Sequence, residues 1–374
     1  MELKGQSSYL VKLSLTLFCV IAISFIIYIG QDIIVPIAFS TLLALLLLPL
    51  NKKLEPKIGR AASILLTLFL ALIFIVAIIY FFSTQIAAFV DDIPTIKKQL
   101  NQHIRTVQRW VYQQFHLTRR EQTEYLQEAT SELSNNKTGF IGQTFLSITE
   151  SIFFLVLLPI YTFLILYYRD MIKSFLINVF STHHKENIKE VINESRLIVQ
   201  SYMVGLLIEM GIIATINTAG FLLFRIKYAF FLGLLAALLN LIPYIGMLIA
   251  SIFCMLVTLT TTNDLTQVLW VAAVLIVVQF FDNNFIMPKV VSSRVKINAL
   301  VTIFGVLTGG AIAGIAGMFL SIPVIAILKV IFDRVDGLKP WGELMGDEIT
   351  HTRRGRLLKH LAAVKVKRKK GLSG

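Results

Sequence analysis

The chain has 374 residues, of which 56% are hydrophobic and 15% are charged, and its mean hydropathy is +0.75. Because soluble globular proteins average about 25% charged residues, this composition excludes a soluble globular protein and predicts an all-α polytopic membrane protein. The net charge of +13 does not indicate nucleic-acid binding, because nine basic and no acidic residues follow Thr350. Such a tail beside membrane spans is typical of a cytoplasmic segment that touches anionic lipid.

Six uncharged or nearly uncharged runs predict unbroken membrane spans, and each must be helical because lipid offers no partner to backbone amides. They cover residues 10–30, 33–50, 61–82, 151–168, 203–224 and 266–287. The first run ends without an A-x-A-like cleavage site, so we expect it to remain as a span. Two longer uncharged runs, 228–259 and 297–328, bring the expected total to about eight membrane segments.

The short loop predicted at 51–60 sets the orientation. It carries four basic residues and one acidic residue, so the positive-inside rule places this loop and both termini in the cytoplasm. The region 83–150 is then extracytoplasmic, and apolar residues at helical spacing predict an amphipathic helix within it. The region 151–202 is expected to hold the fourth span and a cytoplasmic amphipathic helix.

The run 228–259 is about 32 residues long and would measure roughly 48 Å as one helix, well above the ~30 Å hydrocarbon core of a bilayer. If both long runs crossed once, five basic residues would lie outside, whereas with re-entrant hairpins only Arg225 and Lys227 would. The charge distribution therefore favours two re-entrant helical hairpins. The two stretches also resemble each other in sequence. Each begins with Arg-aliphatic-Lys, at Arg225 and at Arg294, and each continues with Gly-Met after a Pro- or Gly-rich centre. This similarity predicts an inverted repeat.

Helix-breaking residues mark the centres of the two long runs. Pro243, Tyr244 and Gly246 mark the first centre, and Gly309, Gly310, Gly314 and Gly317 mark the second. Backbone groups released at such breaks must be covered by protein or water, so these positions tend to line a cavity. A plain kink at Pro243 fits the sequence as well as a functional role does. For the glycines, close helix packing is the leading interpretation.

Ionisable and amide residues within the spans are candidates for a solute or ion pathway. Glu209 is the only acidic residue in the span 203–224, and Asn217 follows two turns later on a similar face. A buried ionisable group suggests a relay or binding site, and the alternative is an interfacial glutamate that pairs with a basic residue. We expect Asn240, one turn before Pro243, to bond the backbone groups released by the break.

A second polar cluster lies at the end of the span 266–287, at Gln279, Asp282, Asn283 and Asn284. Because three consecutive residues of a helix cannot share a face, we expect some of them to cap the helix end and Asp282 to face the protein interior.

Neither a cofactor nor a metal site is predicted. Cys19 and Cys254 lie in apolar segments and indicate no disulfide. The adjacent His183 and His184 would face different sides of a helix, which does not suit a metal site. No phosphate loop, nucleophile triad or paired carboxylate motif occurs, so we do not expect an enzyme.

Four motifs carry a resemblance to a known family. They are "LPLNKKLEPKIGRAA" at 48–62, "LNLIPYIG" at 239–246, "DNNFIMPKV" at 282–290 and "GG…GIAGMFLSIPVIAILKVI" at 309–331. The chain resembles the AI-2E family of bacterial transporters, also called PerM-like permeases. Members are associated with export of the quorum-sensing signal AI-2, and others with sodium/proton antiport. One departure is Ile297-Asn298-Ala299, where the family usually has a proline, which puts a role of that proline in the second hairpin in doubt.

The resemblance implies eight membrane segments in the bacterial inner membrane, a homo-oligomer such as a pentamer, and an elevator-like movement of the hairpins. We therefore predict a transporter that exports or exchanges a small polar solute by alternating access, with a transport core at 203–336. The lipid bilayer and the solute are its expected partners. Sodium/proton antiport through Glu209 and Asp282 is the alternative function, and a non-transporting membrane scaffold that uses 83–150 and the tail 337–374 is a further one.

Overall fold

A computed structural model describes residues 3–92, 156–179, 185–243, 245–262, 264–291 and 297–346, with isolated positions between 94 and 113. Every regular element in these ranges is a helix, as the composition predicts. Five of the helices are long and apolar enough to cross a membrane, while the total of eight membrane segments remains a prediction. Most of the region 83–150 and the basic end of the tail lie outside the described residues, as does Tyr244.

The elements are, in chain order, α1 (Leu3–Ile29), α2 (Gln31–Ile58), α3 (Arg60–Asp91), α4 (Val156–Tyr167), α5 (Arg169–Val179), α6 (Lys185–Leu223), α7 (Ala229–Leu239), α8 (Ile245–Thr261), α9 (Leu265–Phe281), a π-helical turn (Asp282–Ile286), α10 (Met287–Val290), α11 (Ala299–Arg334), a 3-10 turn (Asp336–Leu338) and α12 (Lys339–Met345). The chain divides into two compact units. The first comprises Ile29–Ile172 and Met203–Val291, and the second comprises Met1–Tyr28, Lys173–Tyr202 and Ser292–Gly374.

The prediction of a loop at 51–60 is wrong. α2 continues as a helix to Ile58, and only Gly59 separates it from α3. Gly59 has φ +81°, a conformation that favours glycine. The charged residues of this segment stabilise the corner: Arg169 donates to both carboxylate oxygens of Glu55, at 2.8 and 2.6 Å, and to Asn51 Oδ1 at 3.0 Å.

A single helix, α6, replaces two elements that the sequence separates. The sequence predicts an amphipathic helix within 169–202 and a distinct span at 203–224, but α6 runs without interruption for 39 residues, roughly 58 Å at 1.5 Å per residue. The physical reason is that no proline occurs between Lys185 and Leu223, and polar surface residues followed by apolar ones do not by themselves end a helix. α6 therefore extends well beyond the thickness of a bilayer.

The first long run folds back on itself. α7 ends at Leu239, the chain turns, and α8 begins at Ile245. A Cβ on Gly246 would overlap the carbonyl group of Leu239, so glycine is required for this close approach. Further from the turn, Cys254 Sγ lies 3.8 Å from the carbonyl oxygen of Leu232, as expected for antiparallel arms. Residues 228–259 thus form a helical hairpin whose turn lies where Pro243 and Gly246 predict a break.

The second long run also folds back. Helical geometry is lost at Ala313–Gly314, and Gly314 has φ +58° and ψ −144°. The two arms of α11 approach closely, because Ser321 Oγ donates to the carbonyl oxygen of Gly305 at 2.9 Å and a Cβ on Gly309 would overlap the opposite arm at Gly317. Whether either hairpin re-enters a membrane, and whether the two are related as an inverted repeat, remain predictions.

Asn298 organises the base of the second hairpin. Its Oδ1 accepts a hydrogen bond from the backbone amide of Val301 at 2.9 Å and so caps α11. Its Nδ2 donates to the carbonyl oxygen of Leu344 at 2.6 Å, which fastens α12 to the start of α11. The residue at the point of departure from the family pattern therefore has a structural role of its own.

Candidate functional site

A small chamber lies within the first unit, between α6, the first hairpin and α9. Its cavity volume is about 20 Å³, which is room for about one water molecule. None of its lining residues is charged; they are Ile213, Asn217, Ala236, Asn240, Met247, Ala250, Ser251, Leu275, Val278 and Gln279. The chamber thus combines apolar walls with three amides and one hydroxyl, which suits an uncharged solute that forms hydrogen bonds.

Small residues bring the surrounding helices close enough to form the chamber. A Cβ on Gly233 in α7 would overlap Thr218 of α6, and a Cβ on Gly220 of α6 would crowd Val274 of α9. Asn217 immediately precedes Thr218 on α6, is 2% exposed and has a buried Oδ1 without a hydrogen-bond donor among the described residues. An unpaired buried amide oxygen is costly, and a solute in the chamber could supply the missing donor.

Glu209 and Asp282 form a buried carboxyl pair. Glu209 on α6 is 7% exposed, Asp282 at the start of the π-helical turn is 2% exposed, and the two carboxyl groups are neighbours. None of the ion pairs found among the described residues includes either carboxyl group. Two buried negative charges in contact need a shared proton or a bound cation. Carboxylate oxygens are also ligands that hard cations prefer.

Asn240 connects this pair to the chamber. Its Nδ2 donates to Asp282 Oδ2 at 3.0 Å, and the residue also lines the chamber. Among the described residues, the side chain of Asn240 bonds Asp282 and not the backbone groups at the helix break. The broken helix instead places the amide at the tip of the hairpin, where it reaches α9 and the π-helical turn.

The π-helical turn separates the polar side chains that follow one another in the sequence. Asp282 is buried, whereas Asn283 and Asn284 are exposed. Asn283 Oδ1 accepts a hydrogen bond from Gln279 Nε2 at 2.9 Å, and Asn284 Nδ2 donates to the carbonyl oxygen of Phe280 at 2.7 Å. Single π-helical turns in α-helices occur frequently at functional sites, and of the polar residues in this one only Asp282 is buried.

The remaining predicted site residues shape the hairpins. Pro243 and Gly246 lie in the turn of the first hairpin. The side chain of Asn240, at the start of this turn, reaches the carboxyl pair. The glycines of the second hairpin lie in the other compact unit, where they allow close approach or the turn; they are Gly309, Gly310, Gly314 and Gly317. Their assignment to a solute pathway remains a proposal.

Sequence reasoning missed a polar latch at the base of the first hairpin. Lys227 and Tyr228 both donate to the carboxylate of Asp92. The hydrogen bond from Lys227, followed by that from Tyr228, holds the pKa of Asp92 below its usual range. Arg225 and Tyr228 have positive φ angles of 55° and 62°, which are uncommon for residues other than glycine. The pairing explains how Lys227 is compensated at a position that the charge rule disfavours.

Comparison with known proteins gives a consistent assignment. The model of the AI-2E family transporter matches residues 17–337. YueF of Bacillus subtilis, which is assigned as a transport protein, is 24% identical over 317 residues, covering 82% of this chain and 85% of YueF. An assigned transport protein of Haemophilus influenzae is 26% identical over 331 residues, covering 85% and 91% of the two chains. The AI-2 transport protein TqsA of Escherichia coli is 28% identical over 122 residues, covering 33% and 35%.

Proposed function

The chain belongs to the AI-2E transporter family, and on that premise we propose that it moves a small polar solute across the bacterial cytoplasmic membrane by alternating access. The observation that carries this proposal is the chamber lined by Asn217, Asn240, Ser251 and Gln279. Amide and hydroxyl groups in an otherwise apolar chamber bind uncharged polar molecules by hydrogen bonds, and they exclude ions that would lose their hydration there. The protein is a transporter rather than an enzyme.

The moving part of the proposed transporter includes both helical hairpins and the spans that pack against the first of them. Each long uncharged run folds back at its centre, which supports re-entrant hairpins related as an inverted repeat. Secondary transporters use such broken helices around a midplane site. In this proposal the hairpins move in an elevator-like manner within a homo-oligomer such as a pentamer, and both termini are cytoplasmic.

Labelling of a cysteine at Thr262, at the end of α8, tests the re-entrant arrangement. Reaction with a membrane-impermeant reagent from the outside supports a hairpin that opens outward, and reaction only from the inside contradicts it.

AI-2 is the first solute to test, because TqsA is an AI-2 transport protein. Purified protein is reconstituted into proteoliposomes loaded with AI-2, and efflux is compared with protein-free liposomes. We expect faster efflux with the protein, and a Gly246→Leu variant, whose hairpin turn cannot close, should lose it. Efflux equal to that of protein-free liposomes would exclude AI-2 as the solute.

A second function, sodium/proton antiport, is favoured by one observation, the contact between Glu209 and Asp282. An antiporter needs a buried carboxyl site that exchanges a proton for a cation. Proteoliposomes that contain a pH-sensitive dye and receive a pulse of NaCl or of choline chloride distinguish the two functions. An alkaline or acid shift specific to sodium supports antiport. Equal signals for both salts, together with AI-2 efflux, support solute transport alone.

The scaffold alternative is tested by removing the basic tail. A variant that ends before Thr352 should retain transport if the protein is a transporter, whereas a scaffold that holds partners through its tail would lose its activity.

A further inference from the structure

The carboxyl pair and the chamber share one residue. Asn240 donates to Asp282 Oδ2 at 3.0 Å and also lines the chamber. The described partners of Asp282 are Asn240 and Glu209. A change in the charge of Asp282 therefore acts directly on the amide that a solute in the chamber would contact.

The surroundings of the pair indicate a proton rather than a metal ion. Asp282 Oδ1 is buried and has no hydrogen-bond donor among the described residues. Contact between two carboxyl groups leaves space for a proton between them, and a protonated Glu209 supplies the donor that Asp282 lacks. Lys289 on the adjacent α10 is exposed and pairs with neither carboxyl group. The described charged groups that face the pair are thus the two carboxyl groups themselves.

We infer that the Glu209–Asp282 pair binds protons from solvent and that Asn240 couples this binding to the solute chamber. The inference rests on the proposed transport function and adds its energy source. With one proton on the pair, Asp282 is a carboxylate that accepts hydrogen bonds from Glu209 and Asn240, and the Asn240 amide is held away from the solute. A second proton forms an O–H bond on Asp282 and removes its charge.

Neutralising Asp282 weakens its bond to Asn240, because hydrogen bonds to charged groups are roughly twice as strong as neutral ones. The amide is then released to the chamber, where it can bind a solute. Because coupling between two sites is reciprocal, a solute that binds Asn240 also favours protonation of the pair. Protonation and solute binding are therefore positively linked, and a proton gradient can drive the solute in the direction in which protons flow.

The test uses thiol labelling, so it does not depend on the identity of the solute. In a chain with Cys19→Ala and Cys254→Ala, a Ser251→Cys substitution reports access to the chamber. Its reaction rate with a small neutral maleimide is divided by the rate at an exposed Gly337→Cys, which corrects for the reactivity of the thiol at each pH. Rates are measured at about pH 5.5 and about pH 8.5, which bracket the titration of many buried carboxyl groups.

We expect the corrected rate to be about tenfold higher at the lower pH, within the usual range for coupled sites. Two isosteric changes should shift it in opposite directions. Asp282→Asn resembles the protonated residue and should label fast at both pH values. Glu209→Gln donates permanently to the Asp282 carboxylate and should label slowly at both. Asn240→Leu should remove the pH dependence, and Asn284→Leu, on the exposed face of the same π-helical turn, should preserve it.

The coupling is overturned if the corrected rate of the parent does not depend on pH and the Asp282→Asn and Glu209→Gln variants label at equal rates. The proposed transport function would still stand. Absence of labelling at Ser251→Cys in every variant, while Gly337→Cys reacts, shows that the chamber does not open, and it overturns both proposals. A sodium-dependent, pH-independent change in rate assigns the pair to sodium and also overturns proton coupling.

Discussion

The side chains of Asn240 and Asp282 meet in a 3.0 Å hydrogen bond although 42 positions separate them in the sequence. The bond joins the tip of a helical hairpin to a π-helical turn, and both of these elements depart from regular α-helix. A movement of the hairpin must therefore break this bond or carry the π-helical turn with it. The hairpin tip and the π-helical turn are each costly in isolation, and the hydrogen bond between Asn240 and Asp282 stabilises both.

The turn of the first hairpin should tolerate only glycine at position 246. We expect Gly246→Ala to lower the free energy of unfolding by about 1–3 kcal/mol, as for other overpacked sites, because the new Cβ would overlap the Leu239 carbonyl group. Thermal melting of the purified protein in detergent measures the effect. Gly211→Ala, where nothing lies within 4 Å of a Cβ, is the control and should melt at or slightly above the parent temperature. Equal melting of both variants would contradict the close contact.

The turn of the second hairpin depends on a backbone conformation rather than on space. No atom lies within 4 Å of a Cβ on Gly314, but its φ of +58° with ψ of −144° is accessible almost only to glycine. Gly314→Ala should therefore destabilise the protein by about 1–3 kcal/mol, whereas Gly337→Ala, which is equally unobstructed and has no positive φ, should not. The difference between the melting temperatures of the two variants measures the backbone strain at position 314. A stable Gly314→Ala would show that the hairpin turns elsewhere.

The corner between α2 and α3 should depend on the Arg169 guanidinium. Arg169→Gln removes two bonds to Glu55 and one to Asn51 in a partly buried site, and we expect a loss of about 1–3 kcal/mol in stability. Asp170→Asn is the matched control, because its side chain is 71% exposed and exposed ion pairs contribute little. Chemical denaturation of both variants provides the comparison. A larger loss for Asp170→Asn than for Arg169→Gln would contradict the assignment.

The latch at Asp92 should respond to acid. Because hydrogen bonds from Lys227 and Tyr228 lower the pKa of Asp92 in the folded protein, its stabilising effect is present above the pKa of the unfolded chain, about 4. The effect is lost as the pH falls through the lower folded-state value. The difference in melting temperature between the parent and Asp92→Asn should thus be constant near neutral pH and vanish in strong acid. Asp91→Asn, one residue away and exposed, should follow the parent at every pH.

Much of the architecture follows from the sequence. Uncharged runs in lipid can only be helices, and a proline or a group of glycines at the centre of an overlong run has few roles other than to break it. The breaks near Pro243 and within the glycine group of the second run are therefore accessible to prediction, but the choice of Gly314 among those glycines is not. The single long α6 and the helical segment at 51–58 are not, because a change between polar and apolar residues does not by itself show where a helix ends.

The site was only partly predictable. Periodicity identifies Glu209, Asn217 and Asp282 as polar residues in apolar helices, but it cannot show which of them meet. The contact between Asn240 and Asp282 depends on a π-helical turn, which has no sequence signature here, and on a hairpin tip whose path is set by packing. The Asp92 latch escaped notice because it joins residues 135 positions apart.

The central claim, that the solute passes through the amide-lined chamber, is tested most directly by the rate of AI-2 efflux from proteoliposomes that contain Asn217→Leu or Asn284→Leu. Both variants exchange an asparagine for a leucine, but Asn217 faces the chamber and Asn284 is exposed on the π-helical turn. Loss of a buried hydrogen-bonding group costs about 1–3 kcal/mol, so we predict that Asn217→Leu lowers the rate by about 5- to 150-fold while Asn284→Leu transports like the parent. Equal rates in the two variants, with the parent active, would contradict the claim.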